Sequence, residues 1–147
     1  MIDKIFNTKI LIVREEINNF LPLKNKNIDL QDQDNENVGG AVIFEGIVRR
    51  DNNIDYLEYE GDTEMILLQG KKILEEAIQQ FNLECVILIH RLGIVKVGEM
   101  AVWIRSTARH RKEAFAATEF VIDSLKKQLP IWKKECFVDG GSNWVGL

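Results

Sequence analysis

The sequence predicts an α+β fold, an antiparallel or mixed sheet with helices packed on it. Three observations carry this. Apolar stretches of strand length recur at 41–48, 54–60, 84–90, 99–107 and 131–138. Two longer stretches, 63–81 and 112–129, repeat their apolar residues at helical spacing. The turn residues Asp51, Asn52 and Asn53 join two of the strands tightly, as in a hairpin, which favours antiparallel pairing.

Taken in order, residues 9–13 read as a strand and 14–20 as a short helix. Residues 24–37, K-N-K-N-I-D-L-Q-D-Q-D-N-E-N, form a polar surface loop, an insertion with too little chain before it to be a domain linker. In the 41–48 strand, Gly46 marks a bulge or a close backbone approach. Thr63 is placed to cap the first helix, with Met65, Leu68, Ile73, Ala77 and Ile78 on its buried side. E-C-V-I-L-I-H at 84–90 is a nearly continuous apolar strand. Residues 91–98 make a turn with a short extended piece, and 99–107 lead as a strand into the second helix. Phe115, Ile122, Leu125 and Leu129 share that helix's buried face, and Pro130 stops it. The tail after Val138 reads as a turn that ends on Trp144.

The 147 residues, with 46% hydrophobic and 29% charged side chains, suit one globular domain, 1–147. No apolar run reaches the roughly 20 residues of a membrane helix, and M-I-D-K-I-F-N lacks the order of a secretion signal. Two cysteines do not make a disulfide framework, so a reducing cytoplasm is the simplest location. A formal net charge of -4 argues against general nucleic-acid binding. Two cysteines and two histidines without finger spacing give no zinc cluster, and no phosphate-loop motif is present.

Within this acidic chain lies a basic island. Between Arg105 and Lys134 stand eight Lys and Arg against Glu113, Glu119 and Asp123, a local net charge of +5. Such an island suggests a site for an anion. Lys126 is four residues after Ile122 and sits at the edge of the helix's buried stripe. In the strand after Pro130, Lys133 and Lys134 point to opposite sides, so one can turn towards Lys126 and the other towards solvent. His110, Arg111, Lys126 and Lys133 are expected to converge on one pocket.

Five blocks, in this order and spacing, carry a family resemblance. They are G-A-V-I-F-E-G-I-V-R, L-E-Y-E, I-H-R-L-G-I-V-K-V-G-E, H-R-K-E-A-F and I-D-S-L-K-K-Q-L-P-I-W-K-K-E, spanning residues 39–135. Together they resemble the large (catalytic) subunit of molybdopterin synthase. The resemblance implies an α/β hammerhead fold and a homodimer. It also implies a partner, a small ubiquitin-like sulfur carrier whose C-terminal Gly-Gly ends in a thiocarboxylate, completing a heterotetramer. Two sulfurs pass in turn to cyclic pyranopterin monophosphate, an anionic pterin, forming the dithiolene of molybdopterin without metal or cofactor.

By position, Lys126 resembles the family's essential lysine near the carrier terminus, and Lys133 its second active-site lysine. Arg49, His110 and Arg111 resemble the residues that hold the anionic pterin, and Phe44 and Ile122 the apolar walls. The residue types suit the task. Arginine is a fork-shaped, permanently charged phosphate ligand; lysine stabilises charge building on oxygen and sulfur; histidine can shuttle a proton or bind phosphate. With sulfur supplied by the carrier, no nucleophilic cysteine is required.

Four features depart from the family. Ala108 stands where serine is common, Arg109 adds a charge, the loop between Arg50 and Ile54 is short, and the sequence stops at Leu147, where relatives often continue to a basic residue that reaches the neighbouring protomer. Ala108 and the missing C-terminal basic residue favour an alternative reading, a carrier-binding homologue that has lost pterin turnover. Other residues are assigned plain roles. Lys127 and Lys134 are surface charge, and Cys85 and Cys136 are buried inert thiols; His90 and Arg91, at a strand end, are candidates for the pocket, with a structural role, His90 hydrogen-bonded at a turn, the favoured one. Gly140-Gly141 resembles a carrier tail, but six residues follow it, which makes this chain the acceptor.

Overall fold

The computed structural model describes residues 7–21 and 36–147. The polar stretch 24–37 lies outside these, apart from its last two residues. The described chain runs β1 (Thr8–Val13), a 3-10 turn (Ile17–Phe20), β2 (Gly40–Ile47), β3 (Ile54–Gly61), α1 (Thr63–Phe81), β4 (Leu83–Arg91), β5 (Gly93–Lys96), β6 (Met100–Ala108), α2 (Arg111–Gln128), β7 (Ile131–Phe137) and β8 (Ser142–Gly146). The α+β class expected from the sequence holds, and the strands divide into two four-stranded sheets. The first has the order β1-β4-β6-β2 and the second β5-β3-β7-β8. Only β1 with β4 is parallel; the other pairings are antiparallel.

Strand β4 is buried at all nine positions, which explains its unbroken apolar run. Val86 and Leu88 turn to the side shared with both helices. Cys85, Ile87 and Ile89 turn to the other side, where Trp103, Val13 and Ile17 of the 3-10 turn cover them. A strand covered on both faces cannot show polar alternation. The helix expected over 14–20 is thus a single four-residue 3-10 turn that seats Ile17 on the sheet.

Asp62, not Thr63, caps α1; its side chain accepts from the Met65 N–H at 3.1 Å. Ile66, Gly70, Ile73, Leu74, Ala77 and Ile78 form the buried face. Met65 and Leu68, expected there, are exposed. Gly70 is required by close approach, because a Cβ would come within 2.5 Å of the Ile10 Cδ1. Helix α1 ends at Asn82, whose left-handed φ of 53° lets its N–H reach the Ile78 carbonyl.

Helix α2 buries Ala114, Ala117, Thr118, Val121, Ser124 and Leu125. Phe115 was expected on this face and is instead 63% exposed. The small residues allow close packing against α1 and the first sheet, and a phenylalanine would hold them apart. Pro130 ends the helix as anticipated, and β7 begins at once.

Strands β2 and β3 do not form the expected hairpin. β2 pairs with β6, and β3 pairs with β5 and β7 in the other sheet. The short 48–53 segment crosses between sheets, with Asn52 and Asn53 both at positive φ, 51° and 64°. The two strands therefore face each other across a cavity instead of sharing a ladder. The bulge anticipated at Gly46 is present as a register shift between Gly46 and Ile47. The tail read as a turn is strand β8, paired with β7.

Candidate active site

A cavity of about 420 Å³ opens where the two sheets meet the end of α2. From the first sheet, Phe44, Gly46 and Val48 line one wall, and Val102 and His90 extend it. From the second, Leu57, Tyr59, Lys133 and Glu135 face them. The last turns of α2 add Ile122, Leu125 and Lys126, and Arg49 and Asp51 stand at the entrance.

Local structure explains each placement. Ile122 and Lys126 lie one helical turn apart, so the half-buried isoleucine and the exposed lysine meet the same space. Lys126 also lies in the last turn of α2, where the helix dipole favours a cation. In β7, alternation sends Lys133 and Glu135 to the inner face, opposite Tyr59 and Leu57 respectively. Lys134 turns outward, as one of the two lysines was expected to do; there it pairs with Glu58 at 3.4 Å and lies over the Trp144 ring at 5.2 Å.

Of the candidate residues, Lys126, Lys133, Arg49, Phe44 and Ile122 come together around this cavity. Arg49 stands 84% exposed at its rim, its Nε donating to the Asp51 carboxylate at 2.5 Å. His110 and Arg111 do not join them within the chain, which corrects the expected convergence. His110 is the N-cap of α2, and Lys126 is sixteen residues on, about 24 Å at 1.5 Å per residue. The basic island is therefore two patches, one at each end of a helix. Contact between the strand 39–40 and the start of α2 pins the first patch, since a Cβ on Gly40 would lie 3.0 Å from the Arg111 Cα.

Of the polar wall residues, Tyr59 and Glu135 were not singled out for the site from the sequence, and His90 was given a structural role. Tyr59 and Glu135 follow from strand alternation once β3 and β7 are known to be neighbours. His90 does hydrogen-bond at the strand end, its Nδ1 2.9 Å from the Arg91 carbonyl, but it also lines the cavity. Its signal was its spacing, two residues beyond Leu88 on the core-facing side of β4. Burial pushes the His90 pKa down to about 4 and that of the Tyr59 hydroxyl up to about 12, so both are neutral near pH 7. The cavity thus combines fixed cations at its mouth and side, neutral polar groups deeper, and apolar walls that limit water. That arrangement suits an anionic substrate with a partly apolar body. Cys85 and Cys136 are both buried, and neither lines the cavity. Among the described residues, no group of three or more His, Cys, Asp or Glu could hold a metal ion, and no helix is long and apolar enough to cross a membrane.

The sequence and the fold both resemble known proteins. The family described as MoaE protein matches residues 22–128. A molybdopterin synthase catalytic subunit from Pyrococcus abyssi is 37% identical over 110 residues, covering 73% of this chain and 74% of its own. A crystal structure of molybdopterin synthase from Staphylococcus aureus superposes with a TM-score of 0.81 at 32% identity, covering 93% of this chain and 96% of that one. A Helicobacter pylori chain, from a complex of subunits 1 and 2 of molybdopterin-converting factor, shares the fold with a TM-score of 0.70 at 22% identity, covering 95% and 88%. By family match, sequence identity and fold, the chain belongs to the MoaE family, the catalytic subunits of molybdopterin synthase.

Proposed function

We propose that this enzyme moves sulfur from the C-terminal thiocarboxylate of a small ubiquitin-like carrier to cyclic pyranopterin monophosphate, completing the molybdopterin dithiolene. The observation that carries the reading is the meeting of Lys126 and Lys133, from different elements, at one cavity with apolar walls. The carrier tail enters as an extended, glycine-ended segment, narrow enough for a cleft between two sheets. The thiocarboxylate sulfur bonds to a side-chain carbon of the pterin as a C–O bond of that carbon breaks, and water then cleaves the resulting thioester, leaving the sulfur on the pterin and the carrier as a carboxylate. Negative charge builds on oxygen and sulfur during this step. The two ammonium groups stabilise that charge in a site where Phe44 and Ile122 reduce competition from water. Arg49, exposed at the rim, exchanges Asp51 for the substrate phosphate.

A role for His110 and Arg111 at the same substrate requires a second copy of the chain, whose α2 would present its N-terminal patch to this cavity. The homodimer implied by the resemblance supplies such a copy. The Helicobacter pylori complex supports a second kind of subunit in this fold. The test is reconstitution of the purified chain with thiocarboxylated carrier and the pterin precursor. Molybdopterin is expected, with none when the carrier ends in an ordinary carboxylate. Absence of product despite tight carrier binding would refute the reading.

A further inference from the structure

His90 is a cavity group to which sulfur transfer assigns no task. It is 3% exposed, near the end of the buried run of β4. Its Nδ1 lies 2.9 Å from the Arg91 carbonyl oxygen. A carbonyl only accepts, so Nδ1 carries the ring proton and Nε2 holds the lone pair. Tyr59 meets the ring edge-on, with centroids 5.4 Å apart and planes at 76°, which restrains the imidazole plane. Among the described residues the Arg91 carbonyl is the ring's hydrogen-bond partner, which leaves Nε2 as the ring atom able to accept from a group that enters the cavity the ring lines.

The other polar groups around the cavity explain why this acceptor matters. Lys126, Lys133 and Arg49 are donors and suit the phosphate and the thiocarboxylate. Glu135 and Asp51 are carboxylates, which these cations attract; Asp51 is already bonded to Arg49. Neutral His90 carries no charge to draw the cations from a distance, and its Nε2 lone pair can accept from a neutral donor. A reduced pterin carries such donors as N–H groups on its ring edge. The geometry points to His90 Nε2 as the acceptor of a hydrogen bond from a ring N–H of the pterin, fixing the heterocycle's orientation while the lysines attend to sulfur transfer. This rests on the sulfur-transfer reading above.

The test uses the full chain with thiocarboxylated carrier and pterin precursor. His90→Phe keeps an aromatic ring beside Tyr59 and removes the acceptor; His90→Gln returns an amide oxygen near the Nε2 position. The expected result is a KM for the pterin raised about 10-fold or more in His90→Phe, the scale of one lost buried hydrogen bond. Carrier affinity and melting temperature should stay near native, and His90→Gln should recover most of the loss. An unchanged pterin KM in folded His90→Phe, or a defect confined to carrier binding, overturns the assignment while leaving sulfur transfer intact. No turnover by the native chain overturns the sulfur-transfer reading itself, and the assignment with it. A readout on the native protein avoids dependence on a variant's folding. In nitrogen NMR of the histidine rings, His90 should show the Nδ1–H tautomer, with its Nε2 resonance moving upfield when pterin is added. An Nε2–H tautomer, or an Nε2 signal unmoved by saturating pterin, contradicts the proposal.

Discussion

Arg49 shows how much a single side chain can be asked to do. Its guanidinium is 84% exposed and its Asp51 partner 48% exposed, so the pair contributes at most about 1 kcal/mol to stability. Arg49→Ala should therefore leave the melting temperature unchanged within error, while the KM for the phosphate-bearing substrate rises about 10-fold, the scale of a lost charge-assisted contact. Thermal melts and steady-state kinetics on the same preparation check both halves. His90 behaves in the opposite way. Because burial lowers its pKa from 6.5 to about 4, the unfolded chain takes up this proton more readily than the folded one. Stability is therefore full above about pH 6.5 and falls as the pH drops towards 4. Between pH 7 and pH 5 the loss from this residue is about 2 kcal/mol at 1.36 kcal/mol per pKa unit. Urea unfolding at the two pH values measures it, and His90→Gln should shrink the difference by that amount.

At the scale of elements, strand alternation was legible and burial by residue size was not. The opposed directions of Lys133 and Lys134 followed from period 2 alone. The buried face of α2 did not follow from its largest apolar residues, because close packing selected Ala114, Ala117 and Ser124 and left Phe115 outside. Met65 and Leu68 misled in the same way on α1. The start of α1 turned on one residue, since Asp62 and Thr63 are both good caps and only the geometry shows Asp62 accepting from Met65. Asp62→Ala should cost about 1 kcal/mol, read as a lower urea midpoint with an unchanged slope, whereas Thr63→Ala should cost much less.

For the whole molecule, the α+β class and most element positions could be read locally, but the partnership of strands could not. β2 and β3 are neighbours in sequence and lie in different sheets, while the partners of β2 and β3 stand tens of residues away in β6 and β7. That division creates the cavity, so its walls from Tyr59, Glu135 and His90 were hidden until the sheets were known. The same reasoning separates the basic island into two patches, because a helix of eighteen residues keeps its ends apart. Lys126 and Lys133 reach one cavity through the turn at Pro130, which reverses the chain within a few residues.

Lys126 and Lys133 are proposed to act together on sulfur transfer. The most direct measurement is a single-turnover assay with saturating thiocarboxylated carrier, comparing the native chain with Lys126→Ala and Lys133→Ala while carrier binding is followed separately. A fall in rate of about 100-fold or more is expected for Lys126→Ala and a large loss for Lys133→Ala, the scale of removing one preorganised charge from a transition state, with the carrier still bound. Near-native turnover in Lys126→Ala would contradict that joint action.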